Sequence, residues 1–228
     1  MSVELVNLNT ELLIRRAMTP VREVGQPVRG MPWGLKDGAL VTVPWDIAQG
    51  LDGRVFVANG GSATTPITWA GAYDADAPDI AIDVPAGTTI LPLTIQAHLE
   101  SAGAALSEFI CLASPTSVGT VTYTGGALVT PRCTRISDQR TSQCKAYAAV
   151  DAAGCTDPNT AGSFEFFRTG YPTDPDVTLA PTPNYYWSMM RDGPCVKIIG
   201  PGSLCAYVGN AGTGFWIVSY VELGTGEV

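Results

Sequence analysis

The chain has 228 residues, among them 25 glycines, 17 prolines and only three lysines; charged residues make up 15% and the net charge is −8. This length fills a core as one domain, and the Gly/Pro density suits turn-linked strands better than helices. The acid excess argues against a general nucleic-acid binder, which needs a Lys/Arg surface against phosphates, and the apolar runs fall far short of the roughly 20 residues of a membrane helix. The start of the chain lacks the basic stretch, apolar run and small-residue cleavage site of a leader, so synthesis in a cytoplasm is expected.

In chain order, residues 10–18 read as a short helix capped by Thr10 and ended by Pro20. Residues 19–44 are punctuated by Pro20, Gly25, Pro27, Gly30, Pro32, Gly34, Gly38 and Pro44, which reads as an extended arm. Residues 1–30 hold Arg15, Arg16, Arg22 and Arg29 against Glu4, Glu11 and Glu23; the arm is +1 and the remainder −9. A near-neutral arm on an acidic body is expected to dock onto something. The expected organisation is an N-terminal arm over residues 1–37 and a β-sandwich over residues 38–228.

Strand-like runs recur over residues 40–43, 54–58, 67–70, 80–84, 89–100, 108–113, 120–124, 132–137, 143–150, 164–168, 185–190, 195–199, 204–208 and 215–223. The expected fold is all-β, an antiparallel jelly-roll-like sandwich. The strands exceed the eight of a minimal jelly roll, so extra edge strands or an accessory hairpin are expected. Pro92 implies an edge or bulge within the long strand over residues 90–100. The final run is expected to lie inside a sheet, and residues 169–183, rich in Pro, Asp and Thr, form a long surface loop.

Candidate chemistry is sparse. His98 is the single histidine, sits in an alternating apolar strand and reads as a packed or hydrogen-bonded residue; with no G-x-S-x-G present, no catalysis is expected. The six cysteines include no C-x-x-C, which disfavours zinc, and are expected as thiols. Cys195 with Cys205, and Cys133 with Cys144, flank turns and could face each other across hairpins. Asp74, Asp76 and Asp79 could hold calcium but read more simply as solvated turn residues, as do Asp174 and Asp176. Trp187 and Trp216 lie in strand-like runs and are expected in the core. Trp33 and Trp45 lie in the Pro/Gly arm and, with Arg15, Arg16, Arg22 and Arg29, are the expected partner-binding residues. No cofactor and no metal are expected.

The motifs over residues 83–93, Arg191-Asp192-Gly193-Pro194, Gly200-Pro201-Gly202-Ser203-Leu204 and residues 214–223 resemble uncharacterised virion structural proteins of tailed bacteriophages, from Ile80 onward. Such proteins are similar to jelly-roll cement or decoration proteins that sit on a capsid shell, often as trimers. The resemblance implies a homotrimer on the virion surface, made in the host cytoplasm, whose partner is the major capsid protein, with no nucleic acid and no membrane engaged. The arm would then grip the capsid protein. A different class of function, a receptor- or carbohydrate-binding module of a head or tail fibre, would show a ring platform near Tyr185, Tyr186 and Trp187.

Overall fold

The computed structural model describes residues 33–34, 40–41, 44–69, 73–102, 107–136, 140–171, 184–209 and 212–224. The expected helix over residues 10–18, most of the arm and most of the 169–183 loop lie outside them. The strands are β1 (Trp33–Gly34), β2 (Leu40–Val41), β3 (Val55–Gly60), β4 (Ile67–Thr68), β5 (Ile80–Val84), β6 (Thr88–Ala102), β7 (Ser107–Ser114), β8 (Ala127–Val129), β9 (Arg132–Cys133), β10 (Lys145–Ala148), β11 (Phe164–Tyr171), β12 (Asn184–Ser188), β13 (Ile198–Ile199), β14 (Gly202–Val208) and β15 (Gly212–Gly224). Among the described residues one helix, α1 (Trp45–Leu51), precedes β3.

Two antiparallel sheets face each other, ordered β11-β7-β14-β5-β10-β8 and β12-β6-β15-β3-β9. Eight of these strands form nested pairs: β3 with β15, β5 with β14, β6 with β12, and β7 with β11. A long antiparallel ribbon rolled so that successive pairs alternate between sheets is the jelly roll. Strands β8, β9 and β10 all come from the connection between β7 and β11; β10 and β8 extend one sheet beyond β5, and β9 extends the other beyond β3. These are the extra edge strands that the strand count implied.

Alternation fixes what each sheet turns inward. Ile80, Ile82 and Val84 of β5, Phe109 and Cys111 of β7, and Leu204 and Ala206 of β14 meet Ile95 and Ala97 of β6, Tyr185 and Trp187 of β12, and Trp216, Val218 and Tyr220 of β15. Trp187 and Trp216 are fully buried, as their strand positions implied. The back of the six-stranded sheet is also covered: Ala81, Ile110, Leu112, Tyr147, Cys205 and Tyr207 pack under Val118, Val121, Val150 and Cys155 of the β7–β11 connection. Asp83 pins that cover by accepting hydrogen bonds from Ser117 Oγ at 2.7 Å and Val118 N at 3.2 Å. Burial on both faces explains why β14 reads as an unbroken apolar run.

Three local expectations change. Residues 120–124 are not a strand but part of this cover, tied by Thr122 N to the Gly154 carbonyl and Thr124 N to the Asp151 carboxylate. The runs on either side of Gly200-Pro201 are not a hairpin, because β13 pairs with β6 while β14 pairs with β5 and β7; the turn carries the chain from one sheet to the other. Trp45 belongs to a helix rather than to an extended arm. Pro92 sits where the β6–β15 register slips between Ser219 and Tyr220, so the missing N–H falls at a bulge.

Candidate docking surface

Helix α1 is where the leading part of the chain meets the sandwich. Pro44 stands at its N-cap with no side-chain cap, and Asp46 lies in the first turn where the helix dipole favours an acid. Seven residues cannot hold a helix alone. Its last turn is instead tied down by Asp52 N to the Ala48 carbonyl at 3.1 Å, Gly53 N to the Gly50 carbonyl at 3.0 Å and Arg54 N to the Gln49 carbonyl at 2.9 Å. None of its residues is buried: Trp45 is 44% exposed, Ile47 51% and Leu51 55%.

The β9 turn closes on the end of this helix. Cys133 Sγ donates to the Gly53 carbonyl at 3.4 Å, and Thr134 N donates to the Val55 carbonyl at 3.0 Å. Gly53 has φ +69°, and a methyl on it would stand 3.4 Å from both Arg135 Cδ and Arg140 Cδ, so both arginine stems pass over this residue. Arg132, Arg135 and Arg140 are exposed, and Ile136 is 84% exposed. The edge of the seven-stranded sheet therefore combines aliphatic groups with an indole and guanidinium groups, of which the last two are side chains that most often anchor protein contacts.

Of the expected partner-binding residues, Arg15, Arg16, Arg22 and Arg29 lie outside the described residues. Trp33 falls in β1, whose backbone pairs with Val41. Trp45 is the one whose side chain is described, and it is exposed. Sequence reasoning passed over Ile47, Leu51, Arg132, Arg135, Ile136 and Arg140. The signal for the first two was present as an i, i+4 apolar pair after Pro44-Trp45-Asp46, whereas the arginines come from a strand edge that only pairing brings alongside.

The other candidates resolve into structural roles. His98 stacks on Phe215 with ring centroids 4.6 Å apart, and its Nδ1 and Nε2 lie 3.1 Å from Asn184 Oδ1 and 3.3 Å from Gln96 Oε1, as a hydrogen-bonded residue should. Asp76 caps Ala153 N at 3.1 Å, and buried Asp79 accepts Val208 N at 2.6 Å; a hydrogen bond with Asp76 raises the Asp74 carboxyl. No group of three metal-ligating side chains occurs among the described residues. Ser142 Oγ reaches Glu222 Oε2 at 2.5 Å and Tyr220 Oη at 3.0 Å, and Gln143 N donates to both Glu222 oxygens, so the turn before β10 is clamped onto β15. The ring platform fails at two of its three members, since alternation buries Tyr185 and Trp187 and leaves only Tyr186 outward, under Arg191 at 4.7 Å.

All six cysteines are free thiols. Neither flanking pair faces across a hairpin: Cys205 is buried behind the six-stranded sheet while Cys195 is exposed, and Cys133 lies in β9 of one sheet while Cys144 lies in the turn before β10 of the other. Burial pushes the Cys155 and Cys205 thiols up to about 12 and also raises those of Cys111 and Cys144. A raised thiol stays protonated and unreactive at about pH 8. A thiol reagent is therefore expected to label Cys195 first in the native protein and all six after denaturation, as read by mass spectrometry. Rapid native labelling of Cys111 or Cys205 would contradict this burial.

Fold and edge together define a jelly-roll β-sandwich with a basic, apolar rim. No protein-family model, curated protein or solved structure matches the chain.

Proposed function

We propose that the chain is a virion structural protein, a capsid cement or decoration protein that binds and stabilises the outer surface of a phage head. The observation that carries this reading is the exposed Trp45 on α1, at the point where the leading segment joins a rigid jelly roll. Jelly rolls with covered faces serve shells and lectins alike, so the fold permits the role without dictating it. In this reading Arg15, Arg16, Arg22, Arg29 and Trp33 grip the major capsid protein, Trp45 continues that contact, and the sandwich projects outward as a homotrimer. Many weak arms on one shell would bind by avidity.

Removal of residues 1–30 is expected to abolish co-sedimentation with shells of the major capsid protein while leaving the far-ultraviolet circular dichroism of the sandwich unchanged. Undiminished binding by that variant would defeat the role given to the arm.

A second reading, a receptor- or carbohydrate-binding module, draws on the open face of the seven-stranded sheet. The register aligns Asn184, His98 and Phe215 in one row and Tyr186, Gln96, Ile217 and Asn59 in the next, a face of rings and amides with the Arg191 guanidinium over Tyr186. A blank glycan screen beside firm shell binding would remove it.

A further inference from the structure

On the side of the sandwich away from α1, the seam between the two sheets does not close. Buried Ala113 at the end of β7 and buried Ile198 of β13, which pairs with β6, help to line a partly open cavity of about 220 Å³ there. Phe164 of β11 and Ile199 of β13 line it too, yet they are 49% and 51% exposed, so much of their apolar surface stands in water. Alternation sends Val196 and Ile198 into the core and turns Lys197 and Ile199 outward. Lys197 is the one charged residue of the lining. Ser114, the one other polar side chain there, already accepts a hydrogen bond from Thr116 N at 3.0 Å. In a chain rich in acids, this ammonium borders an apolar cavity that has no carboxylate of its own.

The walls are set in advance. Phe164 meets Phe166 edge to face at 6.3 Å and Phe166 meets Trp187 likewise at 5.0 Å, so the exposed ring is held by a chain of rings that reaches the core. The turn before β11 is fixed by Ser163 N and Ser163 Oγ, which donate to the Thr160 carbonyl at 3.0 and 2.7 Å, and by Thr160 Oγ1 lying 2.7 Å from Thr116 Oγ1. Within that turn Gly162 has φ +95°, and a methyl on it would stand 3.4 Å from Pro115 Cγ, so the bare glycine leaves this wall open. A cavity that is already formed loses less of a ligand's contact energy to ordering.

An apolar cavity of about 150 Å³ holds benzene, so this one has room for a single ring with a short substituent, whereas larger ligands fill pockets of about 300 Å³ or more. We infer that the cavity between β11 and β13 is a binding site for a small aromatic carboxylate, with its ring against Phe164, Pro115 and Ile199 and its carboxylate paired with the Lys197 ammonium. Ring contact supplies affinity, and the charge-assisted hydrogen bond fixes orientation. Because α1 adjoins β3 and β9 at the opposite edge, this site is independent of shell binding.

The test is an NMR titration of the isotope-labelled full chain with phenylacetate and, separately, with the neutral phenylacetamide. Phenylacetate should bind saturably, with a dissociation constant on the order of 1 mM as suits so small a ligand, and should shift the signals of Phe164, Lys197 and Ile199 most. The amide should bind at least about fivefold more weakly. Lys197→Glu should abolish the preference for the acid while leaving the amide's affinity unchanged, and Phe164→Ala should weaken both ligands, each with native circular dichroism. Absence of saturable binding, equal affinity of the native chain for acid and amide, or an undiminished preference for the acid in Lys197→Glu would each overturn the inference.

Discussion

Trp216→Ala is expected to destabilise the protein by about 3–5 kcal/mol, the range for emptying a large buried aromatic site. Trp216 is fully buried at the centre of β15, with ring centroids 5.7 Å from both Trp69 and Phe109, so its removal opens the contact between the two sheets. A chain of this size loses about 2–4 °C of melting temperature per kcal/mol, which places the shift at roughly 6–20 °C. Its indole N–H has no acceptor among the described residues, so Trp216→Phe should cost much less than the alanine variant. Thermal denaturation of the two variants separates ring volume from polar loss; equal costs would mean that the N–H has a partner after all.

Gly214→Ala is expected to be the second most damaging change, near the upper end of the ~1–3 kcal/mol typical of overpacking. A methyl there would run into the His98 carbonyl oxygen and stand 2.7 and 2.8 Å from Trp69 ring carbons. Gly214 lies at the register slip between Thr213 and Gly214, where β15 draws close to β6 and also meets Ile67 of β4. The carbonyl cannot withdraw without moving the ladder, so the strain falls on pairing itself. Urea denaturation would show a lowered midpoint, and a midpoint matching the native protein would mean that the bulge has room to relax.

Much of the sandwich was legible because alternation survives in its central strands. Ile80-Ala81-Ile82-Asp83-Val84 coincides with β5, and Pro92 marked its own bulge. What alternation cannot carry is partnership. A Gly-Pro turn between two apolar runs serves a hairpin or a corner equally well, and at Gly200-Pro201 it is a corner. Strand β8 escaped notice because three residues at an edge bury little and need no strong pattern. Helix α1 escaped because its apolar residues face solvent, leaving only Pro44, Asp46 and one i, i+4 pair as signals. The docking rim was hidden for a related reason, since Arg132, Arg135 and Arg140 meet α1 only through pairing of residues nearly eighty positions apart, as in Phe56 with Cys133.

The nested pairing also sets a timetable for folding. Strand β3 emerges early from a ribosome, yet one of its partners is β15, with Trp216 opposite Gly60 across two thirds of the chain. Strands β5 and β6 likewise await β14 and β15. Contacts so distant in sequence make folding slow and leave apolar strands unsatisfied until the last of them is made. During synthesis, the growing chain therefore holds most of its future core without a sheet to close it, and depends on protection from aggregation until β15 slots between β3 and β6.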